Sequence, residues 1–184
     1  MVVSEPQAVA PAEYRRVMGH YPTGVSVVTG MTEGMPVGMV VGTFSAVSLD
    51  PPLVSFMPTV TSGTYALLRE AGSFCINVLA ADQIELCRTM AAPRRDKFDG
   101  VRWTASPFGA PRLAGAVAYV ECRPEQEVAA GDHWITLCQV HMMETGRDAS
   151  PLVFCQGGYG EFTRAGRADA ALRDYLTWYS DFVM

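Results

Sequence analysis

Val25-Ser26-Val27-Val28-Thr29, then Glu33-Gly34-Met35-Pro36, then the apolar run over 37–43 together decide the fold. Two β-rich runs separated by a turn rich in glycine and proline read as an antiparallel hairpin. Outward from it, 45–49 extends the β pattern, Asp50-Pro51-Pro52 turns the chain, and Leu53-Val54-Ser55-Phe56-Met57 returns as a strand. Residues 73–79 read as another strand, with Phe74, Ile76 and Val78 on one face because side chains alternate. Three more strands are predicted over 115–123, 133–143 and 151–156, and a Gly157-Gly158 turn leads into 159–162. Many short strands with few helices predict a mainly β protein, a closed antiparallel barrel with helical decoration.

The helical signals are local. Pro11 suits the first turn of a helix over 12–20, where Tyr14, Val17, Met18 and Tyr21 recur at helical spacing. Thr61-Ser62-Gly63-Thr64 opens a helix predicted to run to Gly72 as its stop. Asp82 is placed to cap a helix carrying Ile84, Leu86, Cys87 and Met90. Residues 92–112, with prolines at 93, 107 and 111, read as loop, and 1–11 as a mobile arm. Ala168, Ala171, Leu172, Tyr175, Leu176, Tyr179 and Phe182 make a helical stripe over 166–183.

Composition bounds the function. The chain of 184 residues has room for one full core, and its net charge of −5 lacks the basic footprint of a nucleic-acid binder. Apolar residues make up 49% against 18% charged, which hints at buried subunit surface. Five cysteines, with no Cys-x-x-Cys pair, point to a reduced, cytoplasmic protein. No stretch has the length of a membrane span, and no histidine or cysteine spacing suits a metal. His133 and His141 share strand parity, but eight residues separate them by roughly 26 Å.

Three segments carry candidate chemistry. Ala129-Ala130-Gly131-Asp132-His133-Trp134-Ile135 sets a tight turn and then a histidine at a strand mouth, with Trp134 on the opposite face. A histidine there either orients a ligand and handles a proton, or bonds a nearby carbonyl as a structural residue. Thr61-Ser62-Gly63-Thr64 joins hydroxyls to free N–H groups at a helix start, which suits either a phosphate or plain N-capping. Residues 38–48 are rich in glycine and hydroxyls, which permits a flat ligand or a tightly packed barrel corner.

Taken in order, five segments resemble the short-chain flavin reductase family, whose domain is the FMN-binding split barrel. They are Tyr21-Pro22-Thr23-Gly24-Val25-Ser26-Val27-Val28-Thr29, Phe44-Ser45-Ala46-Val47-Ser48-Leu49-Asp50-Pro51-Pro52-Leu53-Val54, Leu67-Leu68-Arg69-Glu70-Ala71-Gly72-Ser73-Phe74, Phe98-Asp99-Gly100-Val101 and Gly131-Asp132-His133. The resemblance implies an antiparallel split barrel over 12–162 with a helical extension over 163–184. It implies an NAD(P)H:flavin oxidoreductase using FMN or FAD with NADH or NADPH, supplying a partner monooxygenase and forming a homodimer. Met39, Val40, Val41, Gly42, Thr43, Ser45 and Ser48 would line the flavin ring. Thr61, Ser62 and Thr64 would hold its phosphate. His133 would meet the nicotinamide, and Asp132 and Tyr159 would complete the cofactor site. Family members often carry Thr-Ala-Asn-Ser-Phe where this chain has Val40-Val41-Gly42-Thr43-Phe44, and Gly-Arg-Tyr-Gly where it has Gly157-Gly158-Tyr159-Gly160. Two further readings stay open: a split-barrel partner subunit without reductase activity, and a flavoprotein that oxidises an organic substrate in place.

Overall fold

A computed structural model describes residues 8–94 and 96–163. The helix expected over 166–183 and residues 1–7 of the expected arm lie outside the described residues. Helix α1 (Pro11–Met18) starts on its proline, as expected, and leaves no side chain buried. Strand β1 (Thr23–Gly24) is followed by the hairpin of β2 (Ser26–Thr32) and β3 (Met35–Val41), then β4 (Ser45–Leu49) and β5 (Pro52–Phe56). Helix α2 (Gly63–Leu68), β6 (Phe74–Val78) and α3 (Ile84–Ala91) follow. The chain then forms β7 (Trp103–Ala105), β8 (Pro111–Leu113), the long pair β9 (Ala118–Ala130) and β10 (His133–Thr145), and finally β11 (Leu152–Cys155) and β12 (Gly158–Glu161).

Seven strands form one antiparallel sheet in the order β3-β2-β6-β9-β10-β5-β4. Strands β3 and β4 sit at opposite edges, yet only Gly42-Thr43-Phe44 connect them. Such a link spans at most about 14 Å, so the sheet curls until its edges approach. The result is the split barrel expected from sequence. Its interior holds Val28, Val41, Val54, Phe56, Phe74, Ile76, Cys122 and Cys138, with Tyr65 and Leu68 of α2 packed among them. Phe56 anchors this core edge-on, 5.9 Å from both the Tyr65 and the Phe74 ring.

Strand β2 is buried on both faces, so alternation splits it between two cores. Val28 points into the barrel, while Val25 and Val27 join a second cluster with Leu79, Cys87, Met90, Leu113 and Leu152. Pro36 is tolerated inside β3 because that strand is an edge. The β2–β3 turn is Glu33-Gly34 alone, both with positive φ, which matches the twist of a two-residue hairpin.

Several local expectations are corrected. Helix α2 ends at Leu68, because Arg69 to Ala71 tighten into turns that close on the carbonyls of Tyr65, Leu67 and Leu68; Gly72 lies beyond. Gln83 occupies the α3 N-cap, while Asp82 is drawn off into an ion pair with Arg147. The segment 92–112, expected as loop, holds β7 and most of β8, a hairpin that ends at Leu113 and whose three-residue strands are too short to show a period. Strand β9 runs on to Ala130, because pairing with β10 holds it through an exposed, polar stretch. The β11–β12 turn is Gln156-Gly157, and Gly158 already belongs to β12.

Polar groups pin the second layer to the barrel. Asn77 is fully buried; its Nδ2 lies 3.1 Å from the Val27 carbonyl and its Oδ1 accepts from the Leu113 N–H at 2.7 Å. The five cysteines are free, and burial pushes the Cys75 thiol up to about 12. No described helix is long and apolar enough to cross a membrane. Asn77→Ala should lower unfolding stability by about 2–3 kcal/mol, since it strands buried partners on both β2 and β8. Urea denaturation checks this, and an unchanged midpoint would show that the pin carries no load.

Candidate functional site

Backbone geometry brings two of the sequence-predicted segments to one corner. Gly131, with φ of 65°, and Asp132 form the two-residue turn between β9 and β10, so His133 opens β10 opposite Ala130. The stretch between β5 and α2 crosses this turn. Thr59 bridges His133, the Val60 N–H donates to the Asp132 carbonyl at 3.0 Å, and the Trp134 N–H donates to the Pro58 carbonyl at 2.9 Å. The hydroxyl-bearing helix start is therefore laid directly beside the histidine turn.

Each side chain there has a clear state. The His133 Nδ1–H donates to Asp132 Oδ1 at 2.7 Å, with His133 part-exposed and Asp132 open to solvent. That hydrogen bond holds the Asp132 carboxyl below its ordinary value. Trp134 packs against the barrel core, on the face opposite His133 as expected. Ser62 caps α2, its Oγ accepting from the Tyr65 N–H at 3.1 Å. The Thr61 and Thr64 hydroxyls make no hydrogen bond to another described side chain or backbone group; Thr61 is exposed and Thr64 half-buried.

The 38–48 segment contributes from the seam. Thr43 Oγ1 accepts from the Met57 N–H at 2.8 Å, which ties the β3–β4 link to the same 57–62 stretch. Met39 and Val41 point into the barrel, and Val40 joins the second cluster. Gly42 is dictated by close approach, since a Cβ there would lie 2.9 Å from Thr23 Oγ1. Ser45 is exposed and Ser48 half-buried on edge strand β4, beside the exposed Val47 and Leu49. Burial against β3 pushes the Lys97 ammonium down, with its Nζ 3.3 Å from the Gly38 carbonyl. Tyr159 is engaged elsewhere: its ring meets Phe154 edge-on and its hydroxyl accepts from the Cys87 thiol.

A polar group behind this corner has no local signal in the chain. Tyr65 donates to Glu127, Thr136 Oγ1 lies 2.6 Å from the Tyr65 hydroxyl, and Arg69 pairs with Glu127 Oε2 at 2.6 Å. Burial, and then the Glu127 bond, raise the Tyr65 phenol well above its usual range. The Arg69 guanidinium also lies 5.4 Å over the Trp134 ring. These partners are separated by up to 71 residues, so no local spacing reveals them.

The donor set suits a flat, anionic, hydrogen-bonding molecule. Thr61, Ser62 and Thr64 follow the exposed apolar Met57 and Val60 in the chain, and edge strand β4 exposes Val47 and Leu49. The flavin reductase like domain family model matches residues 18–163. The reductase subunit of a flavin-dependent monooxygenase from Rhodococcus jostii is 40% identical over 170 residues, covering 92% of this chain and 87% of that protein. A flavin reductase from Pseudomonas putida is 41% identical, covering 84% and 92%. The solved NADH:FAD oxidoreductase of Streptomyces globisporus, in complex with NAD and FAD fragments, superposes with a TM-score of 0.80 at 34% identity, covering 88% of this chain and 99% of that one.

The His133–Asp132 bond has a pH signature. Asp132 is ionised above its unfolded value of 3.8, and its depressed folded pKa means the bond's stabilisation is present there and lost as pH falls through the folded value. Carboxylate NMR titration should show Asp132 moving up toward 3.8 in His133→Ala. An unmoved titration would mean that the pair does not form in solution.

Proposed function

The chain belongs to the flavin reductase like domain family, and on that premise we propose that it is an NAD(P)H-dependent flavin reductase supplying reduced flavin to a partner monooxygenase. The observation that carries this reading is the Thr59–His133 bridge, which sets a hydroxyl-rich helix start against a histidine turn. Bound flavin, FMN or FAD, supplies the redox chemistry by accepting a hydride from NADH or NADPH. The protein's work is alignment, which converts an encounter of two solutes into a pre-oriented pair.

The roles divide along the corner. Thr61, Ser62 and Thr64 hold the flavin phosphate by hydroxyl and backbone donors. The edge of β3 over Met39, Val40 and Val41, with Gly42, Thr43, Ser45 and Ser48, lines the ring through main-chain groups and small side chains. His133, its ring fixed by Asp132, orients the nicotinamide dinucleotide. No side chain has to move a proton for hydride transfer to occur, so His133 acts in binding. With Val40 in the second core and Gly42 closed by Thr23, fewer polar side chains grip the ring. The flavin is then an exchangeable substrate, which fits delivery to a second enzyme.

We read the working form as a homodimer in a reducing, cytoplasmic setting, with Tyr159 reaching the cofactor in that assembly. Exposed Val128, Met143, Tyr14 and Val17 offer apolar surface for the second copy. Sedimentation of the purified chain decides this, and a monomer at micromolar concentration would contradict it.

NADH and NADPH oxidation, followed with and without FMN, FAD or riboflavin, tests the activity. Flavin-dependent turnover is expected, and its absence under every combination would favour a partner subunit without reductase activity. Replacing both Thr61 and Thr64 by valine should raise the KM for FMN about tenfold while sparing riboflavin, which lacks the phosphate. Equal effects on both flavins would remove these hydroxyls from the phosphate site.

A further inference from the structure

The corner has two anchors. The first is the backbone set around Thr59–His133, where the 57–62 stretch crosses the hairpin turn. The second lies further along the chain. Tyr65 of α2 and Arg69 at its C-cap grip Glu127 of β9, together with Thr136 and Trp134 of β10. Glu127 and Thr136 stand directly opposite each other in the β9–β10 register, so the single Tyr65 hydroxyl touches both strands. Core packing of Tyr65 and Leu68, and the Thr32 hydroxyl donating to the Leu67 carbonyl at 2.8 Å, seat the helix on the barrel. The polar clamp adds a direct tie from the helix to β9 and β10.

Packing does not demand this arrangement. The Tyr65 ring already fills the core against Phe56 at 5.9 Å, and a phenyl ring fits there without any polar partner. Burying a hydroxyl among a carboxylate, a threonine and a guanidinium costs desolvation that an apolar contact avoids. What the polar set supplies is one distance and one direction, because hydrogen bonds are directional where apolar contacts are not. Trp134, held beneath Arg69, is the neighbour of His133 in the chain, so the clamp ends one residue from the histidine.

Resting on the reductase reading, we propose that Tyr65 is a positioning residue: through Glu127 and Thr136 it sets the histidine turn against the 61–64 hydroxyls, and so the nicotinamide against the flavin. Neither Tyr65 nor Glu127 touches a substrate in this scheme. Tyr65 acts through the place it gives His133. Because His133 acts in binding, a lost hydrogen bond to its ligand is felt in affinity, by up to about tenfold, so loosening the anchor that places it should cost about that factor in the KM for NADH.

The experiment is a double-mutant cycle on the full chain, with flavin-dependent NADH oxidation as readout. Tyr65→Phe should raise the KM for NADH about tenfold, leave kcat within about twofold, and leave FMN affinity unchanged. His133→Ala should raise the same KM, and the double variant should be no worse than His133→Ala alone. A merely structural Tyr65 acts independently of His133, so multiplied losses would overturn the proposal, as would an unchanged KM in folded Tyr65→Phe. If Tyr65→Phe fails to fold, Thr136→Val removes one hydroxyl from the same clamp and is read by the same rule. Wild-type protein without flavin-dependent turnover would overturn the reductase reading and this inference together. Active wild type with additive losses would overturn the inference alone.

Discussion

The ladder along β10 is the constraint on which the rest depends. Strand β10 pairs with β9 from His133 to Thr145 and with β5 from Thr136 to Gln139. Its first residues are taken instead by the stretch that leaves β5, through Thr59 and Pro58. One strand thus fixes barrel closure on one side and the path toward α2 on the other. A one-residue slip would turn Cys138 and Thr136 out of the barrel and bring the opposite face in. Bulges near Leu137 and Val140 absorb the mismatch between the long strands without breaking that register.

The second core explains a departure from the family pattern. Along β3, Met39 and Val41 serve the barrel while Val40 serves the layer under α3 and β8. Gly42, next outward on the Val40 face, is closed by Thr23. Positions where family members often carry polar side chains are thus committed to packing and close approach. In the proposed site the ring-binding work would pass to main-chain groups on an edge strand, which recognise shape and polarity with little added grip. A reductase that must release its product benefits from that weakness.

Much of the fold was legible because it is written at short range. The β2–β3 hairpin follows from Val25 to Thr29 and its turn, and the Gly131-Asp132 turn marks the start of β10. What failed was decided by tertiary partners. Asp82 looks like a cap until Arg147, 65 residues away, claims it. β7 and β8 are strands only because they pair with each other, and nothing in Trp103–Ala105 announces it. In the site, hydroxyls and the histidine were readable from residue type and position. The Tyr65 clamp was not, since tyrosine at helical spacing reads simply as core, and Glu127 sits in a polar stretch that gives no sign of burial.

In the proposed site, this corner brings flavin and nicotinamide together for direct hydride transfer. Anaerobic rapid mixing of the protein and oxidised FMN with NADH, unlabelled or deuterated at the transferring C4 position, is the decisive measurement. Direct transfer requires protein-dependent loss of oxidised-flavin absorbance that is slower with the deuterated donor. Bleaching that is no faster with protein than without it would mean that no such pair forms on this chain.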